Sequence, residues 1–325
     1  MTKAIVVSRT GGADVLEWQD YPVGDPGPGE VRIRHEAVGL NFIDVYYRTG
    51  LYPAPKGLPF VPGNEGAGIV VAVGPDVSGL KEGDRVAYAG PLGAYAQERV
   101  TAADRLVKVP DGVPLETAAA IMLKGMTAEY LLLRTYPVKP GDTILIHAAA
   151  GGVGSIAGPW AKSLGARVIG TVGSAEKAAL ALANGYDEVI NYRDEDFVAR
   201  VKDLTGGKGV DVVYDSVGKD TFPGSLDVLR TRGMWVSFGQ SSGPIDPIAI
   251  GILSQKGSLY ATRPTLFTYI ATRSELEASA AALFDVIARG VVTIDINQRY
   301  ALADARQAHI DLEARKTTGT TILLP

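Results

Sequence analysis

Gly141-Asp142-Thr143-Ile144-Leu145-Ile146-His147-Ala148-Ala149-Ala150-Gly151-Gly152-Val153-Gly154 is the stretch that decides the fold. A short apolar run ends in a glycine cluster. A helix-compatible segment follows over 155–164, then a second apolar run over 167–172. That order is strand, tight turn, helix, strand. Read from Ala149, the turn is A-x-G-x-x-G, a variant of the dinucleotide fingerprint. Gly151 would let the backbone approach a pyrophosphate, and Gly154 would let the helix pack closely on the sheet. The helix N-terminus would offer its free N–H groups and positive dipole end to phosphate. The same glycines in a bare connecting turn would mean little; here they sit in the context the motif requires.

Outward from this turn, two compositions meet. Residues 1–125 carry short β-like runs at 4–7, 30–38, 66–73, 85–89 and 94–100, separated by clusters such as Gly24-Asp25-Pro26-Gly27-Pro28-Gly29. That pattern suits an irregular, mostly β domain, interrupted by a helix near 42–48. From about Leu115 the period lengthens, and 115–136 reads as helical. Strands are then expected at 143–146, 167–172, 188–191, 210–214, 234–238 and 258–261. Helices are expected between them at 153–164, 175–184, 194–204, 222–229 and 248–254. Six strands alternating with helices predict a doubly wound parallel sheet. A long amphipathic helix (274–289), a further helix (302–313) and a β-like end (320–324) follow, the last expected to rejoin the first domain.

The bulk numbers narrow the function. The 325 residues fit about two domains, and the net charge of −4 argues against a general nucleic-acid footprint. No apolar run has transmembrane length and no signal peptide is read at the start, so a soluble, cytoplasmic protein is expected. There is no cysteine and there are only three histidines, His35, His147 and His309. A disulfide, a thiol nucleophile and a thiolate zinc site are thereby excluded, and a His-rich metal centre is implausible. The chemistry, if any, falls to a bound cofactor. G-x-x-x-x-G-K-[ST] is missing, which disfavours phosphoryl transfer.

In the NAD-binding version of this turn, an acidic residue ending the second strand binds the ribose 2′-OH. Here that strand ends Thr171-Val172-Gly173-Ser174, with no carboxylate. Ser174 is a small donor suited to a phosphate oxygen, and Lys177 stands one helical turn away. Tyr192 and Arg193, after the third strand, are placed to flank an adenine. A 2′-phosphate therefore fits better than a bare hydroxyl, which favours NADPH. Ser174 is equally suited to cap the helix that follows, and the nearby Glu176 would repel a phosphate if it pointed inward.

With these residues placed, the chain resembles the quinone oxidoreductase group of the medium-chain dehydrogenase/reductase superfamily, which includes the zeta-crystallins, and within it the bacterial NADPH:quinone reductases. The likeness runs the full length. It is carried by Ala37-Val38-Gly39-Leu40-Asn41-Phe42-Ile43-Asp44, Pro62-Gly63-Asn64-Glu65-Gly66-Ala67-Gly68, 141–154, Val213-Tyr214-Asp215-Ser216-Val217-Gly218 and Gly257-Ser258-Leu259-Tyr260-Ala261-Thr262-Arg263-Pro264. The resemblance implies an α/β protein with a GroES-like, mostly-β catalytic domain (1–125 and 265–325) and a doubly wound Rossmann domain binding NADPH (126–264). Zinc alcohol dehydrogenases of the superfamily use a Cys near position 41 and a His in a G-H-E motif; this chain has Asn41 and Asn64, so no zinc is implied. Without a Lewis acid to polarise an alcohol or carbonyl, hydride delivery to an already electron-poor acceptor is the expected reaction.

The resemblance also carries over site residues. Asn41 and Tyr46 would lie near the nicotinamide and its ribose. Thr127 and Gly151-Gly152-Val153 would hold the diphosphate. Gly173, Ser174, Lys177 and Tyr192 would hold the adenosine 2′-phosphate. Phe238, Gly239 and Ser241 would approach the nicotinamide half, and Arg315 would reach back to a phosphate. Pro159 departs from the family's usual Gln inside the first Rossmann helix and predicts a local bend.

Asn41, Tyr46 and Tyr52 are the catalytic candidates. A phenol would hydrogen-bond a quinone oxygen or donate a proton; plain aromatic lining is the alternative. Asn41 would donate its amide to a substrate or ribose oxygen, or serve only the local turn. Asp44 and Glu65 are expected to support the fold through hydrogen bonds, Asp142 to belong to its turn, His147 to be a satisfied, semi-buried histidine rather than a base, and His35 and His309 to be structural or exposed. Lys124 reads as a surface residue, and Arg263 is left between a phosphate and a partner subunit.

The expected function is zinc-independent, NADPH-dependent reduction of quinones, by hydride or stepwise one-electron transfer. Reduction of the C=C bond of α,β-unsaturated aldehydes or ketones is the alternative within the same chemistry. An RNA-binding or crystallin-like structural role is the alternative outside it, disfavoured by the acidic balance. A homodimer through edge pairing of two Rossmann sheets, around 245–264, is implied by resemblance.

Overall fold

Apolar runs bounded by glycine or proline become strands here, and the longer runs with a period near 3.6 become helices. The computed structural model describes residues 2–325. From the amino end come β1 (Thr2–Val6), β2 (Glu17–Tyr21), β3 (Glu30–Gly39), α1 (Phe42–Thr49), β4 (Glu65–Val73), β5 (Arg85–Ala89), β6 (Glu98–Ala102), β7 (Val107–Lys108) and α2 (Leu115–Tyr130). The middle holds β8 (Thr143–His147), α3 (Gly154–Ser163), β9 (Arg167–Val172), α4 (Ala175–Ala183), β10 (Glu188–Asn191), α5 (Phe197–Leu204), β11 (Val210–Asp215), α6 (Gly224–Asp227), β12 (Leu229–Ser237), α7 (Gly251–Gln255) and β13 (Tyr260–Thr262). Last come α8 (Leu266–Tyr269), α9 (Arg273–Ala288), β14 (Ile296–Ala301), α10 (Ala305–Glu313) and β15 (Thr320–Leu324).

The chain divides into two compact units. One comprises 1–126, 270–284 and 294–325, the other 127–269 and 285–293. In the second, six strands lie in the order β10-β9-β8-β11-β12-β13, every neighbouring pair parallel. The order runs outward from β8 in both directions, which is the doubly wound arrangement the sequence predicts. Helices on both faces explain why these strands read as continuous apolar runs rather than alternating ones. Ile144, Leu145 and Ile146 are each fully buried.

The first unit holds a seven-stranded sheet in the order β14-β15-β3-β4-β5-β7, with β6 also on β3, and a separate β1-β2 hairpin. β15 lies between β14 and β3, pairing Ile322 with Gly39 and Leu323 with Val38. The carboxyl-terminal strand therefore does rejoin the first domain. Its core gathers Ile5, Ile33, Val38, Tyr88, Tyr95, Leu106 and Leu323 among others.

Several boundaries differ from expectation for local reasons. α5 starts at Phe197, not 194, because Asp196 caps it by accepting from the Val198 and Ala199 N–H groups. The helix expected over 222–229 shrinks to α6, since Leu229 is already paired with Val210 in a strand that shifts register before Met234. The run at 94–100 yields a strand only from Glu98; Tyr95 instead accepts at its carbonyl from the Ile5 N–H. The helix expected to 136 changes to a π-helix over Leu131–Thr135. α3 runs from Gly154 to Ser163 with Pro159 inside it.

Leu323→Ala tests the closing strand. Removing a fully buried side chain there should cost about 2–5 kcal/mol of stability in chemical denaturation.

Candidate functional site

In the second unit β8 ends at His147 and the chain turns through Ala148, at φ 56°. The Gly151 N–H donates to the Ala148 carbonyl at 2.9 Å, which closes the turn. A β-carbon on Gly154 would lie 2.5 Å from that same carbonyl oxygen, so the turn admits no side chain there. No side chain caps α3, whereas Ser174 caps α4 and Asp196 caps α5. The helix behind the glycine turn is thus left without an internal anion at its N-terminus. Thr127 is buried in α2, at the first residue of this unit.

The end of β9 brings four predicted residues together. Ser174 accepts from the Lys177 backbone N–H at 3.3 Å as the N-cap of α4. The Tyr192 N–H donates to the Val172 carbonyl at 3.1 Å. Its phenol oxygen stands over Gly173, 2.5 Å from where a β-carbon would be.

Phe238, Gly239 and Ser241 follow β12 and are held by the backbone of the neighbouring strand's end. The Phe238 and Gly239 N–H groups donate to the Asp215 carbonyl at 2.8 and 3.2 Å, and that of Ser241 to Ser216 at 3.1 Å. Gly239 lines a cleft of about 430 Å³ with Trp235, Ser237, Gln240, Ile248 and Arg263.

Asp215 is the residue that sequence reasoning missed. Its buried carboxylate accepts from the Val217 and Gly218 N–H groups at 2.9 and 3.1 Å, from the Thr221 and Ser225 hydroxyls at 2.8 Å each, and from Trp235 Nε1 at 3.3 Å. Burial pushes this carboxyl up, but neighbouring His147 and these donors hold it below the usual carboxylate value. Because Ser225 gives its proton to Asp215, His147 Nε2 must be the donor to Ser225 Oγ (3.1 Å), leaving Nδ1 to accept from the Thr171 hydroxyl (2.8 Å). Burial lowers the His147 pKa, so the neutral ring suits this role. An aspartate ending a strand before Ser-Val-Gly was the visible signal.

In the first unit Asn41 precedes α1 with extended backbone (φ −141°, ψ 155°). Its N–H donates to Asp44 Oδ2 at 2.9 Å and its side-chain Nδ2 to Glu65 Oε1 at 2.8 Å. Tyr46 and Tyr52 meet edge-on with ring centroids 5.2 Å apart, Tyr47 packs on Tyr52 at 5.9 Å, and Phe42 approaches Tyr46 at 6.3 Å. Of the three catalytic candidates, Tyr46 on α1 and Tyr52 after it meet, while Asn41, before the helix, is bonded to Asp44 and Glu65. Arg315 follows α10 at φ 59°, its N–H donating to Leu312.

Asp44 and Glu65 are both fully buried. Asn64 Nδ2 and the Tyr95 hydroxyl donate to Asp44 at 2.7 and 3.0 Å. Glu65 accepts from the Leu123 N–H at 2.7 Å and forms an ion pair with Lys124. Lys124 is therefore not a surface residue: it is buried in α2 and supplies the counter-charge to this carboxylate. His35 and His309 are buried, and desolvation lowers the pKa of each to about 3. Asp142 accepts from the Lys139 N–H at 2.8 Å, within its turn. Among the described residues no group of three His, Cys, Asp or Glu is arranged to hold a metal.

Burial pushes the Asp44 carboxyl up to about 7. The native state then keeps a proton that the unfolded chain, at 3.8, has released. Asp44 accordingly favours the folded state most below pH 4 and loses that contribution as pH rises through 7. The thermal midpoint of the wild type should fall between about pH 5 and pH 8 more steeply than that of Asp44→Asn.

Two family models match the chain: the alcohol dehydrogenase GroES-like domain over residues 27–111 and the zinc-binding dehydrogenase over 152–285. The chain is 58% identical to a quinone oxidoreductase of Pseudomonas aeruginosa, over 100% of both. It is 48% identical to a 2-haloacrylate reductase of a Burkholderia species, over 100% of this chain and 99% of that protein. The crystal structure of Escherichia coli quinone oxidoreductase complexed with NADPH superimposes with a TM-score of 0.97 at 51% identity, covering 99% of this chain and 100% of that one. A GroES-like domain joined to a Rossmann-type domain, and full-length identity of this order, show that the chain belongs to the quinone oxidoreductase group of the medium-chain dehydrogenase/reductase superfamily.

Proposed function

We propose that the protein reduces quinones with NADPH and without zinc. The observation that carries this reading is the grouping of Gly173, Ser174, Lys177 and Tyr192 at the end of β9, where no carboxylate stands to select a 2′-hydroxyl. The residues fit the cofactor: an ammonium and a hydroxyl suit a phosphate, and the uncapped α3 behind its glycine turn suits a diphosphate. The NADPH in the Escherichia coli relative's structure supports the same choice. When bound, NADPH supplies a hydride from its nicotinamide ring.

The chain's own residues do the rest. Ser174, Lys177 and Tyr192 hold the 2′-phosphate end beside Gly173. Thr127 and Gly151, Gly152 and Val153 hold the diphosphate, with Arg315 as a further cation. Phe238, Gly239 and Ser241, fixed through Asp215, form the nicotinamide side. Asn41 and Tyr46 orient the reacting end. Tyr46 and Tyr52 offer phenols to the acceptor oxygen, and their aromatic cluster with Phe42 and Tyr47 suits a flat ring. Asn41 and Asn64 stand where the zinc enzymes have ligands, and both amides are engaged by buried carboxylates. We assign 1–125 and 265–325 to the catalytic domain and 126–264 to the NADPH-binding domain.

A second reading, reduction of a polarised C=C bond, is favoured by one observation, the relative that is a 2-haloacrylate reductase. Homodimerisation through β13 is supported by its place at the sheet edge and by the exposure of Tyr260 (58%) and Ile250 (78%); light scattering should give twice the chain mass. No helix among the described residues is long and apolar enough to cross a membrane, and we place the protein in the cytoplasm. A net charge of −4 gives RNA no electrostatic footprint.

Initial rates with NADPH and NADH against 1,4-benzoquinone, an ortho-quinone and a 2-alkenal, with chelator present, test the reading. Turnover with quinones, preferring NADPH and indifferent to chelator, is expected; turnover confined to the alkenal would move the protein to C=C reduction. Lys177→Ala should weaken NADPH roughly 10- to 100-fold while leaving NADH nearly unchanged. Equal loss for both nucleotides would remove the 2′-phosphate assignment.

A further inference from the structure

Glu65 and Lys124 form an ion pair out of contact with water, Glu65 fully buried and Lys124 5% exposed. Such a pair seldom stabilises a fold more than apolar residues of equal volume would, so its presence asks for another role. The surroundings are specific to it. A β-carbon on Gly39 would lie 2.1 Å from Glu65 Oε1, so the absence of a side chain at 39 is what admits the carboxylate. One oxygen, Oε2, takes the Leu123 N–H at 2.7 Å; the other, Oε1, takes both the Lys124 ammonium and Asn41 Nδ2, the latter at 2.8 Å. The end of β3, the start of β4 and one turn of α2 thus build a dry socket, and the Asn41 amide is bonded into it.

We infer that the Lys124–Glu65 pair is a positioning device for Asn41, fixing which end of its amide faces the reacting ligands. A carboxylate can only accept, so Asn41 must turn its nitrogen toward Glu65. Lys124 supplies the counter-charge to this carboxylate in its dry socket. A neutral glutamine at 65 would offer one acceptor and one donor. The Leu123 N–H takes the acceptor, the donor then faces Asn41, and the Asn41 amide turns over. Donor and acceptor would be exchanged at the ligand-facing end with almost no change in volume. The inference rests on the reading that Asn41 acts on the cofactor or substrate.

The charge-neutral double variant Glu65→Gln/Lys124→Met tests it, since it removes both buried charges and leaves neither unpaired. Thermal midpoint, affinity for 2′,5′-ADP, and kcat and KM with NADPH and 1,4-benzoquinone are measured. The expected result is a midpoint within a few degrees of the wild type, unchanged 2′,5′-ADP binding, and kcat lower by about tenfold or more. A purely structural pair would let kcat recover with the midpoint, and wild-type kcat in the folded double variant would overturn the inference. Asn41→Ala reads the underlying assignment separately. Wild-type kcat there sinks the role of Asn41 itself, whereas an impaired Asn41→Ala beside an unimpaired double variant sinks only the positioning. If the double variant does not fold, Glu65→Asp serves instead. It keeps the charge and withdraws the carboxylate from Asn41 by one methylene, with the same loss of kcat expected and the same retention overturning the idea.

Discussion

Five donors converge on the carboxylate of Asp215, drawn from the turn that follows it, from α6 and its approach, and from β12. A carboxylate without water must be met in this way or the fold loses several kcal/mol. Meeting it has a geometric result. The carbonyl of the same residue receives Phe238 and Gly239, so the segment after β12 is hung from the end of β11. Through Ser225 and His147 the network reaches Thr171 on β9, three residues before Ser174. The segment after β12 and the end of β9 are therefore tied to one dry chain of hydrogen bonds. Such a chain is completed only when every member is in place.

The first unit faces the same constraint twice and resolves it in two ways. Glu65 is answered by a cation, Lys124. Asp44 is answered by neutral donors, Asn64, Tyr95 and the Asn41 N–H, and its carboxyl rises toward neutrality. Asn41 belongs to both arrangements, its backbone to one and its side chain to the other. With asparagine at 41 and 64 the carboxylates are bound within the protein's own polar network.

What sequence reading recovers here is what is local. The glycine turn, the apolar strands and the Ser174–Lys177 spacing each lie within a few residues, so periodicity and motif suffice. β2, Glu-Trp-Gln-Asp-Tyr, escaped because a mostly exposed hairpin strand carries no buried alternation. The start of α5 was set by a cap at Asp196 rather than by hydrophobic period. Long-range partners were illegible. Asp215 could be seen at a strand end, but its donors at 221, 225 and 235 could not. Lys124 was misread because nothing near it in sequence says that Gly39 clears space for Glu65 beside α2.

β15 carries one more consequence. It lies between β14 and β3, and the Leu40 N–H donates to the Thr321 carbonyl, so it fixes the backbone one residue before Asn41. On the ribosome the strands of the six-stranded sheet, ending at Thr262, emerge well before Thr320. That sheet can form while the other still lacks β14 and β15 beside β3, since domains fold as units during synthesis. The loop presenting Asn41 thus acquires support from a strand translated after every strand of the six-stranded sheet.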